Sequence, residues 1–300
     1  KCIIKNESKL KEISKVLSHR YIIDDKYVYY LDEKQKDNNI FIHKNIEGLN
    51  TKILHTNDVL IDFNKKNHKL FITQKNNTAR VVFMDGYLDD IEIFFIGKNK
   101  NNSNDKKHIN QKNLFTGCLT FKNIKFNKTK INSQDGKCED SINIINSNGK
   151  IDTIISSNSY SDAIDFDFSN ISVDKILVKE ASNDCVDFSY GDYDIDKMNL
   201  NKCGDKGVSI GESSNFINNI VSINNSNLAI ASKDSSNAKF NKVDIKNSNK
   251  CISAYNKKQE FDGGYIKIKN LKCSNYDLVY EYDNMSLIKV INEKFNNSIK

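Results

Sequence analysis

Asp140, Asp162, Asp184 and Lys206 stand 22 residues apart and carry the side chains that acid–base chemistry uses. Beside them Asp165, Asp187 and Ser209 repeat at the same interval. Carboxyls brought within about 5 Å of each other couple their titrations, and one of the pair holds its proton to higher pH. That is how like residues divide into a general acid and a general base. The same oxygens would also suit Ca²⁺. All of this requires residues one interval apart to lie over one another, so the repeating element must be a stack.

The apolar residue of the interval is Ile142, Ile164, Val186, Val208, Ile230 and Ile252, a period of 22 without slippage. Fixed periods in this range mark stacked repeats. Each repeat reads as strand, as in Asp162-Ala163-Ile164-Asp165-Phe166-Asp167 with its alternation of polar and apolar residues. A second apolar cluster precedes each, and Asn, Ser, Gly and Asp fill the intervals as turn residues. About 22 residues at about 3.3 Å each make a coil of short strands, and coils about 4.8 Å apart form parallel sheets around an apolar interior. The expected fold is all-β, a right-handed parallel β-helix, its hand taken from the chirality of parallel crossovers. A leucine-rich repeat shares the period but needs Leu at several fixed places, which these repeats lack.

The whole chain, 1–300, reads as one domain. Ser8 to Leu17 has a helical apolar face and is expected to form an N-terminal cap over residues 1–20. Residues 21–117 read as irregular early coils, 118–292 as regular coils and 293–300 as a frayed polar tail. Lys98–Lys112 reads as a mobile loop, and an insertion around Asn256–Gly264 stretches the period. The chain begins with Lys and shows no apolar signal region, so it reads as a fragment or processed product. No apolar run is long enough to span a membrane.

The net charge is +6, yet from Glu139 to Glu212 there are 15 carboxylates against 6 Lys. Such a segment repels a phosphate backbone, so nucleic acid is excluded as its partner. The remaining Lys read as scattered over a solvated surface. All five His precede residue 109 and the only Arg are Arg20 and Arg80, so the regular repeats hold no His-based triad or zinc site. Of the seven Cys, Cys185 and Cys251 share a column but stand three rungs apart, about 14 Å by strand spacing. Free thiols and a reducing compartment are the expectation. A cell-surface or secreted setting and a cytoplasmic one both fit this composition.

With Ile164 pointing in, Asp165 and Asp167 point out, and Asp187, Ser209, Lys233 and Tyr255 follow on later rungs. Asp162, Asp184, Asp205 and Lys206 flank this face before the strand, and Glu212 and Asp234 flank it after. The result is an elongated polar groove suited to an extended, acidic polysaccharide, with Lys257 in the insertion as a further contact. Asp and Asn beside strands also close turns through the backbone, which is the structural alternative for Asp162 and Asp184.

The segments Asp162-Ala163-Ile164-Asp165, Asn183-Asp184-Cys185-Val186, Gly204-Asp205-Lys206-Gly207-Val208-Ser209-Ile210-Gly211 and Ser232-Lys233 resemble the successive motifs of polygalacturonase-type glycoside hydrolases. Those enzymes are parallel β-helices of the pectate lyase-like superfamily. The resemblance implies a carbohydrate ligand and matches Asp162, Asp184 and Lys233 to catalytic motif positions. Asn183, Lys206 and Ala231 depart from the family's acid, His and Arg. As a hydrolase, Asp162 and Asp184 would activate water with Asp187 or Asp205 as acid. As a lyase, Lys206 or Lys233 would be the base and Tyr255 the acid, with Ca²⁺ on the Asp cluster. A non-catalytic glycan-binding or structural module of a larger surface or capsule-assembly protein is the alternative.

Overall fold

A computed structural model describes residues 41–75, 79–98 and 115–296, and the backbone of the strands Arg20–Asp24 and Tyr27–Leu31. The expected helix at 8–17 and the loop at 98–112 fall outside the described residues, apart from Lys98. Among the described residues all regular structure is strand. From Val81 onward each coil pairs in parallel with the one that follows, while residues 81–87 also pair antiparallel with Asn50–His55. The result is a β-solenoid with coils of about 22 residues in its regular part.

The period has a direct physical cause. Ile142, Ile164, Val186, Val208, Ile230 and Ile252 pair successively in register and are all 0 % exposed. Phe166, Phe188, Phe216 and Phe240 continue the interior as a ring column, with centroids 4.9, 4.8 and 5.3 Å apart. Each such side chain contributes about 1.5–3 kcal/mol by leaving water. A coil touches only its neighbours, so the column repeats or the stack ends.

The corners are held by amide ladders. Asn241 donates to Asn219 at 2.8 Å and Asn219 to Asp196 at 2.7 Å. Asn249 donates to Asn227 at 3.1 Å and Asn227 to Asp205 at 3.2 Å. In both columns the amide points toward the preceding coil, and the column starts at an Asp, which only accepts. The Asn-rich composition therefore has a structural use in these columns.

Three expectations are corrected. Residues 42–64 are not coils of the stack. Ile42–Lys44, Asn50–His55 and Val59–Asn64 pair antiparallel, and parallel pairing starts where Lys69–Gln74 meets Val81–Ile96. Alternation reports which face a strand buries, not the direction of its neighbour. The tail is shorter than expected, because Leu287–Asn296 pairs with Tyr265–Ser274 throughout. The cysteines are paired, not free: Cys118–Cys138, Cys185–Cys203 and Cys251–Cys273 are disulfides with Cα–Cα distances of 5.4, 5.3 and 6.6 Å. Each joins residues 18 to 22 apart, almost one coil, so the partners meet around a coil rather than up a column. The seventh, Cys2, lies outside the described residues.

Candidate functional site

The outer face assembles as a ladder. Asp165 is in register with Asn143 below and Asp187 above, Asp187 with Ser209, and Lys233 with Tyr255. Alternation along Asp162–Asp167 sends Ile164 and Phe166 inward and leaves Asp165 and Asp167 half-buried on the outside. The amide of Asn143 donates to both, at 3.1 and 3.2 Å. Burial, then the neighbouring carboxylates Asp140, Asp167 and Asp187, push Asp165 well above the usual carboxylate range. Asp167 is also raised by burial, opposed by hydrogen bonds from Asn143 and Asp165. Burial thus raises both carboxyls, and the hydrogen bond between them eases the rise at Asp167.

One rung up, Asp187 faces the ammonium of Lys233 at 3.8 Å. Lys233 is 4 % exposed and donates to Ser209 Oγ at 2.8 Å. It lies over Gly211, where a methyl group would stand 2.7 Å from its Cε. Only a residue without Cβ leaves that path free. Tyr255 is half-buried on the next rung, its phenol raised by burial against the pull of Lys206 and Lys233.

The column before the strand forms as expected but is committed to the backbone. Asp162 Oδ1 accepts from Asp184 N at 2.8 Å and from Asn183 Nδ2 at 2.7 Å. Asp184 Oδ1 accepts from Lys206 N at 2.9 Å, and the Lys206 ammonium is 3.4 Å from both Asp184 oxygens. Burial outweighs Lys206 and lifts Asp184 to about 6, while Asp162 is raised by burial. Lys206 also bonds Asp205. Partial burial works against Asp205 ionising, but Lys206 and Asn227 hold it below its usual range.

The residues after the strand form a wall. Glu212 is 5 % exposed, accepts from Ser189 Oγ at 2.7 Å and pairs with Lys258 at 2.6 Å. Despite its burial, those two partners hold it low. Asp234, expected to contact substrate, is instead fully buried. Its Oδ1 accepts from Lys257 N at 2.7 Å and Lys258 N at 2.8 Å, which folds the 256–264 insertion back over the earlier coils. Lys257 is exposed and contributes its backbone; Lys258 is the side chain that reaches the wall. Asp234→Ala should cost about 1–3 kcal/mol for the two stranded N–H groups. Hydrogen exchange of the Lys257 and Lys258 amides would accelerate while the core strands keep their protection.

Sequence reasoning missed the aromatic part of this wall. Phe168 and Tyr190 are 56 % and 41 % exposed, stack at 4.6 Å with an interplanar angle of 5°, and Phe261 of the insertion lies 6.2 Å from Tyr190. They occupy the corner column Asn146, Phe168, Tyr190, Glu212, Asp234, whose φ values are 47°, 51°, 52°, 50° and 55°. Left-handed backbone suits Asn and Asp and disfavours bulky residues. Two exposed rings at such positions are strained and solvated together. The signal was available as two aromatic residues 22 apart directly after the strand.

A shallow polar recess of about 430 Å³ lies on another corner, lined by Asn227, Asn247, Asn249 and the Glu180–Lys202 pair. Its amides donate within the ladders, so it offers little chemistry. Among the described residues no cluster of three or more His, Cys, Asp or Glu is arranged to hold a metal ion. No helix among the described residues is long and apolar enough to cross a membrane. Comparison with protein-family models, curated proteins and solved structures finds no match. The chain is thus defined as a parallel β-solenoid with a carboxylate ladder beside an exposed aromatic stack.

Proposed function

We propose that this protein is a right-handed parallel β-helix that cleaves an extended polysaccharide laid along the outer-face ladder. The observation that carries the reading is the Phe168–Tyr190 stack beside the carboxylates. Flat, exposed rings pack against the C–H faces of sugar rings, while carboxyl, hydroxyl and ammonium groups on one side take the hydroxyls. In direct register, Asp165 and Asp187 stand on backbones about 4.8 Å apart, a spacing that would let their carboxyls reach the separation of retaining glycosidases. Asp165, whose carboxyl burial raises well above the usual range, would protonate the glycosidic oxygen, and Asp187 would attack the anomeric carbon. Water then cleaves the glycosyl ester and returns a proton to Asp165. Lys233, held by Ser209, faces Asp187, and the Phe188 N–H donates to Asp187 Oδ1 at 3.0 Å. Asp162 and Asp184 hold the turns from which this pair projects. Three disulfides support a setting outside a reducing cytosol.

Screening a neutral and acidic polysaccharide panel for new reducing ends tests the reading. Asp165→Asn and Asp187→Asn should each lower turnover by about 10²–10⁴ with the fold intact. Phe168→Ala with Tyr190→Ala should abolish retention in affinity electrophoresis. Retention without released reducing ends would identify a glycan-binding module, and loss of neither property in any variant would sink the site.

A further inference from the structure

The lysines outside the acidic coils are not scattered. Lys239 is in register with Lys267, and Lys267 with Lys289, on three successive rungs. Each lies between inward-facing neighbours, Ala238 and Phe240, Ile266 and Ile268, Ile288 and Val290, so all three project outward. Strand spacing sets their backbones about 4.8 Å apart. Below them the same column holds Ile217, Asp194 and Ser172, so the ladder belongs to the last three coils. Around the corner at Asn241, Lys272 and Lys294 form a second register pair, with Lys242 and Lys246 beside them.

Across residues 237–246, 265–274 and 287–296 there are eight Lys against two carboxylates. Among the described residues, Lys272 is the one of these Lys with an ion-pair partner, Asp244 at 4.0 Å. Like charges directly opposite on neighbouring strands destabilise a sheet, and nothing in the described residues relieves the Lys239–Lys267–Lys289 column. The groove differs, since Lys206, Lys233 and Lys258 each face a carboxylate there.

We propose that this face binds a linear acidic polysaccharide, its carboxylate or sulfate groups spread along the lysine ladder. Charge complementarity selects a polyanion. The amide ladder in which Asn292 donates to Asn270 at 3.1 Å runs alongside and offers partners to sugar hydroxyls. The outward positions flanking the ladder are Asn237, Asn241, Tyr265, Lys269, Leu287 and Ile291, so one ring stands there and the run of stacking platforms that holds single-stranded nucleic acid is missing. The inference needs no activity at the carboxylate ladder and stands on a different sheet of the coil.

The test is binding of polygalacturonate and of heparin to the intact protein, followed as a function of salt. The triple variant Lys239→Gln, Lys267→Gln, Lys289→Gln should bind both at least about tenfold more weakly, and added salt should erase the difference. A control triple, Lys128→Gln, Lys175→Gln, Lys179→Gln, removes the same charge from other exposed positions and should bind as the wild type does. An equal loss in both triples would reduce the effect to net charge and overturn the ladder. Failure of the wild type to bind either polymer, or stronger binding to duplex DNA or phosphatidylserine vesicles, would also overturn it. Neutral dextran should not bind.

Discussion

Raising the pH from 5 to 8 should weaken the fold, and replacing Asp140 by Asn should remove much of that dependence. Asp140 is 3 % exposed at the foot of the acidic ladder and is raised to about 8. Burial is the main cause; Thr116 opposes it by donating a hydrogen bond, and Asp162, Glu139 and Asp167 add repulsion. The buried Arg80 shares this field but does not offset the loss of water. Asp184 is lifted to about 6, and Asp165 and Asp167 also stand above their usual range. In the unfolded chain these carboxyls ionise near 4. Between that value and its native one, the folded state holds a proton the unfolded state has released, so stability falls as pH rises. The slope is about 1.4 kcal/mol per pH unit per group, and Asp140 alone accounts for a loss on the order of 5 kcal/mol by pH 8. Below pH 4 the sign reverses, because Glu212 and Asp205, held low in the native state, take up protons. Urea midpoints read by circular dichroism at pH 5, 6.5 and 8 would show the trend. A higher midpoint at pH 8 than at pH 5 would contradict the buried, protonated ladder.

How much of this could be read in the chain follows from what each signal encodes. The column Ile142 to Ile252 was legible because each regular coil must send one residue to the core. The same period placed Asp165 under Asp187, which the register bears out. Corner positions escaped, because alternation describes strand faces and ignores the residue that turns. Phe168 and Tyr190 sit at such corners. The lysine ladder escaped for another reason: Lys239 and Lys267 are 28 residues apart and Lys267 and Lys289 are 22 apart, so the insertion hides the column. Asp162 and Asp184 were found in the right place, but spacing cannot tell a free carboxylate from one already bonded to the next coil's N–H. The antiparallel hairpins before Val81 alternate as coils do and carry no mark of strand direction.

Reducing the three disulfides should be slow in the native protein and costly once achieved. All six sulfurs belong to residues at most 3 % exposed, so a reductant reaches them only when coils open. In dilute dithiothreitol the protein should keep its circular dichroism for far longer than in the same reductant with moderate urea. Each bridge closes a loop of 18 to 22 residues, which restricts the unfolded chain by about 3 kcal/mol. Full reduction should therefore lower stability by about 6–10 kcal/mol, comparable to the whole margin of a typical domain. The loss should also be local, because a solenoid transmits stability through neighbouring coils. Cys185 lies between Asp184 and Val186, two residues before Asp187, and Cys203 closes the same coil. Cys185→Ala with Cys203→Ala should then speed hydrogen exchange across Val186–Ser189 and its partner rungs at Ile164 and Val208. Val82 and Phe83, several coils away, should keep their protection. Uniform loss across both regions would show one cooperative unit rather than a chain of coupled coils. Protection unchanged in both would show that the bridge adds nothing the packed Phe166–Phe188 column does not already supply.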